Sequence, residues 1–109
     1  MIVRLIKVRA KAGRVGQLNA LMRRRQAELR DQPGIVYTKL ARRLEPGGGE
    51  EVVLIEEWRD PGVLYAWAGS DISDPRLSED SGESVVDVSV TTYESLDIVF
   101  EDPEPTDTA

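Results

Sequence analysis

Glu56-Glu57-Trp58-Arg59-Asp60-Pro61-Gly62-Val63-Leu64-Tyr65-Ala66-Trp67-Ala68-Gly69-Ser70-Asp71 is the stretch from which the rest of the chain can be read. It opens as the end of an apolar strand and turns at once into a short helix. Asp60-Pro61 is a helix start: the carboxylate can accept from free N–H groups of the first turn, and proline loses nothing at the first helical position. Gly69 is a stop signal. Val63, Leu64 and Trp67 share one stripe at spacings of three and four, with Tyr65 to one side. Both tryptophans lie here. They serve either as core filling, the usual role of large aromatics in a small domain, or as walls of a flat apolar pocket.

Working backwards, Glu51 to Trp58 is a strand that faces an earlier one, Ile35 to Leu44, across the turn Pro46-Gly47-Gly48-Gly49, which makes the pair an antiparallel hairpin. The triple glycine is no phosphate loop, because no helix and no Lys-Ser/Thr pair follow it. On the earlier strand Ile35, Tyr37, Lys39 and Ala41 fall on one side, and Val36, Thr38, Leu40 and Leu44 on the other. A helix opens at Gly13-Arg14, runs to about Gln32 and stops at Pro33-Gly34; Val15, Leu18, Met22, Arg25 and Leu29 form its stripe, and it reads as scaffold. Ile2 to Ala10 is the first strand. Ile2, Ile6, Val8 and Ala10 share one face, interrupted by Arg4, while Val3 and Leu5 lie on the other. Both faces are partly apolar, as in a strand covered on both sides. A charge on an apolar face needs a carboxylate partner or points at a ligand, and Arg4 is that charge.

Beyond the central stretch, Ser70 to Ser84 is polar, with Asp71, Asp74, Glu79, Asp80 and Glu83, but it matches no calcium-loop pattern and reads as a solvated loop. Alternation then runs from Val86 to Phe100. One strand of that length would span roughly 50 Å at about 3.3 Å per residue, more than a small sheet covers. Either it bends near Glu94-Ser95 or its far half pairs with another subunit. Glu101 to Ala109, with Pro103 and Pro105, is an acidic tail expected to be disordered. The expectation is one domain over residues 1–100 and a tail over 101–109.

The order strand, helix, strand, strand, helix, strand is the ferredoxin-like split β-α-β arrangement, an α+β fold with an antiparallel sheet. Its first and third strands are central neighbours, which brings Arg4 within reach of Glu56 or Glu57. Helices cover one sheet face. The other is also apolar and calls for a second sheet, hence a homodimer joined by sheet-to-sheet packing and the C-terminal strand.

Composition narrows the partners. The formal charge of −6 argues against nucleic acid and anionic membrane surfaces. The chain has no cysteine and no histidine, so it offers no thiol chemistry and lacks the commonest neutral-pH base and metal ligand. Arg23-Arg24-Arg25 is the one basic run; Arg23 and Arg24 fall off the helix stripe, which reads as a solvated face. No apolar run reaches the ~18 residues of a membrane span and no signal-peptide pattern is present, so a soluble, cytoplasmic protein is expected.

Lys11 and Gly13 at the first helix, Pro33-Gly34 before the second strand, Glu56-Glu57-Trp58 closing the third, and Asp60 through Leu64 to Trp67 follow in an order that resembles the antibiotic biosynthesis monooxygenase domain of the dimeric α+β barrel superfamily. The match covers roughly residues 1–70. The resemblance implies a homodimer that holds a small molecule between sheet and helices. In some relatives this is a polycyclic phenol, oxygenated without metal or flavin; others degrade haem. Trp67 falls where the haem degraders keep a porphyrin-ruffling tryptophan. Their iron-binding histidine would fall at about Leu77 and their distal asparagine at about Ile6, and both are absent. The expected function is therefore cofactor-independent oxygenation of a flat phenolic molecule, with no metal. Trp67 and Glu56 are the candidates for the chemistry; Trp58, Tyr65, Tyr37, Arg4 and Ile6 are the candidates for substrate contact, with Arg4 as phenolate anchor. The alternatives are a binding protein without chemistry, or a haem binder with an unusual ligand.

Overall fold

The computed structural model describes residues 1–45, 50–75, 77 and 82–97. Its elements are β1 (Ile2–Ala10), α1 (Val15–Arg30), β2 (Ile35–Arg42), β3 (Glu51–Trp58), α2 (Pro61–Ala68) and β4 (Val85–Glu94). The four strands form one sheet in the order β2-β3-β1-β4 with every neighbouring pair antiparallel, the ferredoxin-like α+β arrangement. The Pro46–Gly49 turn, part of the acidic loop, and residues 98–109 with the far end of the last alternation and the acidic tail lie outside the described residues.

Two-residue alternation sets the layers. Arg4, Ile6, Val8 and Ala10 of β1 and Val52, Leu54, Glu56 and Trp58 of β3 are buried and face the helices. Leu18, Met22 and Leu29 of α1, with Leu64 and Ala68 of α2, complete that core. The opposite phase carries Val3, Leu5, Val53 and Ile55, only half-buried; it forms a second, open face of the sheet.

The helix ends follow their local chemistry. Asp60 Oδ1 accepts from the Val63 N–H at 3.0 Å, and Pro61 starts α2. Gly69 ends it with φ 85°, its N–H donating to the Tyr65 carbonyl at 2.8 Å, a left-handed exit that suits glycine. α1 runs Val15–Arg30, about two residues shorter at its far end than the stripe suggested. Gly16, in its first turn, has nothing within 4 Å of a would-be Cβ. Gly16→Ala is therefore expected to raise stability by roughly 0.5–1 kcal/mol, the helix-interior difference between the two residues; the urea midpoint checks this.

Two bulges revise the strand faces. The β2–β3 register shifts between Ile35 and Tyr37, so Ile35 pairs with Trp58 while Tyr37 pairs with Glu57. Ile35 and Tyr37 thus lie on opposite faces, not on one side as strict alternation would have it, because a bulge residue (Val36) flips the phase. A second shift between Arg9 and Ala10 sets Val85 opposite Ala10 and leaves Val86 61% exposed. β2 also ends at Arg42, and Leu44 is 83% exposed.

Candidate functional site

The first layer is a buried polar strut. Antiparallel register places Arg4 directly opposite Glu56, and both are fully buried. Arg4 donates through Nη1 to Glu56 Oε1 at 3.2 Å and Oε2 at 3.5 Å, and through Nε to the Ile72 carbonyl at 3.1 Å. Its other terminal nitrogen donates to the Asp74 carbonyl. Trp58 Nε1 donates to Glu56 Oε1 at 2.9 Å. A buried charge survives only when paired and hydrogen-bonded, and here each group satisfies the other. The pair thus connects three things: the β1–β3 centre, the indole of Trp58, and the loop that follows α2.

That loop is shaped for its part. Asp71 accepts from the Ser73 hydroxyl at 2.5 Å and from the Ser73 N–H at 3.0 Å, and these two bonds hold its carboxyl below the usual carboxylate range. The turn points the carbonyls of Ile72 and Asp74 at Arg4.

The second layer is aromatic. The rings of Trp58 and Trp67 lie 6.3 Å apart, tilted by 33°. The Arg25 guanidinium sits 4.2 Å from the Trp67 ring centroid, within cation–π range. Arg25 also meets Glu28 one turn on at 3.2 Å, and its side chain is 19% exposed. Two polar atoms of this layer are buried without a hydrogen-bond partner among the described residues, Trp67 Nε1 and Thr38 Oγ1. Thr38 pairs with Glu56 across the β2–β3 ladder and so shares its face.

The structure brings together Arg4, Glu56, Trp58 and Trp67, and leaves the other three candidates elsewhere. Tyr65 is 48% exposed on α2. Tyr37 is 47% exposed and, being paired with Glu57, lies on the open sheet face, away from Trp58. Ile6 is fully buried in the core, where it packs and is not presented to a ligand. Glu56 and Trp58, not Glu57, face the helices. Glu56 is also already engaged by Arg4 and Trp58, an arrangement suited to holding Trp58 in place.

Sequence reading missed Arg25 and Thr38. Arg25 had a signal, a charge on an otherwise apolar stripe, and through it α1 reaches Trp67. Thr38 had none. Among the described residues no helix is long and apolar enough to cross a membrane, and no group of three His, Cys, Asp or Glu side chains is placed to hold a metal ion.

The fold and this inner layer define a ferredoxin-like α+β domain with two neighbouring tryptophans, a buried ion pair and two unmatched polar atoms between sheet and helices, and a half-buried apolar second sheet face. The sequence profile described as antibiotic biosynthesis monooxygenase matches residues 1–73; the chain belongs to that family. No curated protein matches it by sequence. Solved structures share the fold. Rv0793 from Mycobacterium tuberculosis is 22% identical, with 91% of this chain and 98% of that one covered at a TM-score of 0.74. PA3566 from Pseudomonas aeruginosa is 19% identical, with 88% and 94% covered at 0.72. A Deinococcus radiodurans protein described as an antibiotic biosynthesis monooxygenase is 15% identical, with 94% and 100% covered at 0.74.

Proposed function

We propose that the protein is a homodimeric, cofactor-independent monooxygenase that binds a flat phenolic molecule in its ionised form against Trp58 and Trp67. The observation that carries this reading is the buried Trp67 Nε1 with no acceptor. A buried donor left unmatched costs roughly 1–3 kcal/mol, and a ligand oxygen at that point removes the cost. The neighbouring groups favour the same kind of ligand. Arg25 adds positive charge over Trp67, and Thr38 Oγ1 is a second unmatched polar atom. A site with spare donors and a cation lowers the energy of a phenolate relative to the phenol, so ionisation needs no histidine and the proton leaves to water. The phenolate then supplies the electrons to dioxygen. Arg4 and Glu56 position the Trp58 wall and do not meet the substrate.

Oxygen uptake with dihydroanthracenone-type phenols tests this. Trp67→Phe keeps the ring and removes the N–H; turnover is expected to fall about tenfold or more, the effect of one buried hydrogen bond to a charged group. Absence of uptake by the wild type, or unchanged uptake by Trp67→Phe, overturns the reading.

The dimer part rests on the open face. Val3, Leu5, Val53 and Ile55 are half-buried at its centre, with Lys7, Arg9 and Lys39 exposed around them. A contiguous apolar sheet face with a charged rim suits a second copy of itself. Sedimentation should give a dimer for the wild type and a monomer for Ile55→Asp, which puts a charge at the centre of the face; a monomeric wild type overturns the dimer.

A further inference from the structure

The three successive arginines of α1 go three ways. Arg25 covers Trp67, Arg24 lines a cleft with Gln17, Leu21 and Glu83, and Arg23 lines a different cleft at the β2 side of the sheet. That last cleft has a volume of about 290 Å³ and is lined by Asn19, Arg23, Leu40, Ala41, Arg42 and Val52. Asn19 and Arg23 are one turn apart on α1, so they present adjacent side chains. Arg42 arrives from the end of β2, opposite the buried Val52 in the ladder.

The charge balance in this cleft is unusual. Arg43, the next residue along, meets Glu45 at 2.9 Å and Glu51 at 3.7 Å. Arg23 and Arg42 have no carboxylate partner among the described residues, although the chain carries 20 acidic residues against 14 basic ones. Two cations facing one cleft repel each other, and an anion between them turns that repulsion into attraction. Guanidinium forks match the oxygens of carboxylate or phosphate, the Asn19 amide can donate as well as accept, and Leu40 and Val52 give an apolar floor.

We propose that this cleft is a binding site for a small organic oxyanion, a charged carboxylate or phosphate head on a compact apolar body. It is separate from the tryptophan-walled site and does not depend on that reading.

The test is titration of the isotope-labelled full chain with phenyl phosphate, followed by backbone amide shifts, with benzoate and inorganic phosphate as comparison probes. Expected are saturable shifts centred on Asn19, Arg23, Leu40 and Arg42, tighter binding of phenyl phosphate or benzoate than of inorganic phosphate, and about tenfold weaker binding in Arg23→Gln/Arg42→Gln. Whichever of phenyl phosphate and benzoate binds tighter identifies the preferred head group. Arg24→Gln removes the same charge from the neighbouring cleft and is expected to leave binding unchanged. The proposal is overturned by shifts that do not saturate, by equal weakening in Arg24→Gln, by inorganic phosphate binding as tightly as the aromatic probes, or by shifts centred on Trp67. Arg23, Arg24 and Arg42 are all exposed, so these variants are expected to fold as the wild type does; a loss of the native amide spectrum in the double variant would assign the arginines to stability and overturn the site as well.

Discussion

Arg4→Met is expected to cost roughly 3–5 kcal/mol of stability, because it leaves the fully buried Glu56 carboxylate without its cation. It also strips the donors from the carbonyls of Ile72 and Asp74, so the loop after α2 should exchange its amide protons faster. Arg4→Met/Glu56→Leu removes both charges and should recover a large part of the loss, as replacing a buried ion pair by apolar groups often does. Recovery is expected to be incomplete, since Trp58 Nε1 then lacks the acceptor it has at 2.9 Å. Urea midpoints for the three proteins, with amide exchange of the loop after α2, measure all of this. A single-variant loss below about 1 kcal/mol would place the pair among weakly contributing ion pairs and undo its role as a strut.

Gly34→Ala is the second large effect. Gly34 has φ +88°, and a Cβ there would lie 2.5 Å from the Val63 side chain. The left-handed backbone costs about 1–2 kcal/mol for a residue with a Cβ, and overpacking adds about 1–3 kcal/mol. The expected total is roughly 2–5 kcal/mol by the same two terms. Val63→Ala in the Gly34→Ala background removes the two Cγ contacts but keeps the Val63 Cβ at 2.5 Å, so it should recover only part of the steric share and leave the backbone share in place. The position matters for the site as well. Gly34 accepts from the Arg59 N–H at 2.8 Å, so it joins the start of β2 to the turn between β3 and α2, and α2 is the helix that carries Trp67. Under the proposed function, a Gly34→Ala variant that remains folded is therefore expected to lose oxygen uptake through displacement of Trp67.

These two predictions differ in how far they could be read in advance. Pro33-Gly34 was visible as a helix stop, yet the contact with Val63 joins residues from two elements and has no local signature. Arg4 was legible as a charge out of place, and the topology that put β1 beside β3 named Glu56 as one of two partners. The choice of Glu56 over Glu57 required the register. Tyr37 and Tyr65 are half-exposed for ordinary reasons. A one-residue bulge moved Tyr37 to the other face relative to Ile35, and a side position on a two-turn helix left Tyr65 facing water.

Element order, the Asp60 start and Gly69 end of α2, and the pairing of a lone arginine with a β3 carboxylate were set by the sequence alone. The helix ends depend on neighbours within one turn, and the ion-pair candidates follow from alternation together with the element order that sets β1 beside β3; the chain carries all of these. Only the tertiary structure decided that Arg25 covers Trp67, that Trp67 Nε1 and Thr38 Oγ1 are left without partners, and that Glu56 is engaged by its own protein. Each of these depends on how α1 and α2 lie across the sheet and on where the bulges fall. Such distances between remote residues are not contained in any local period.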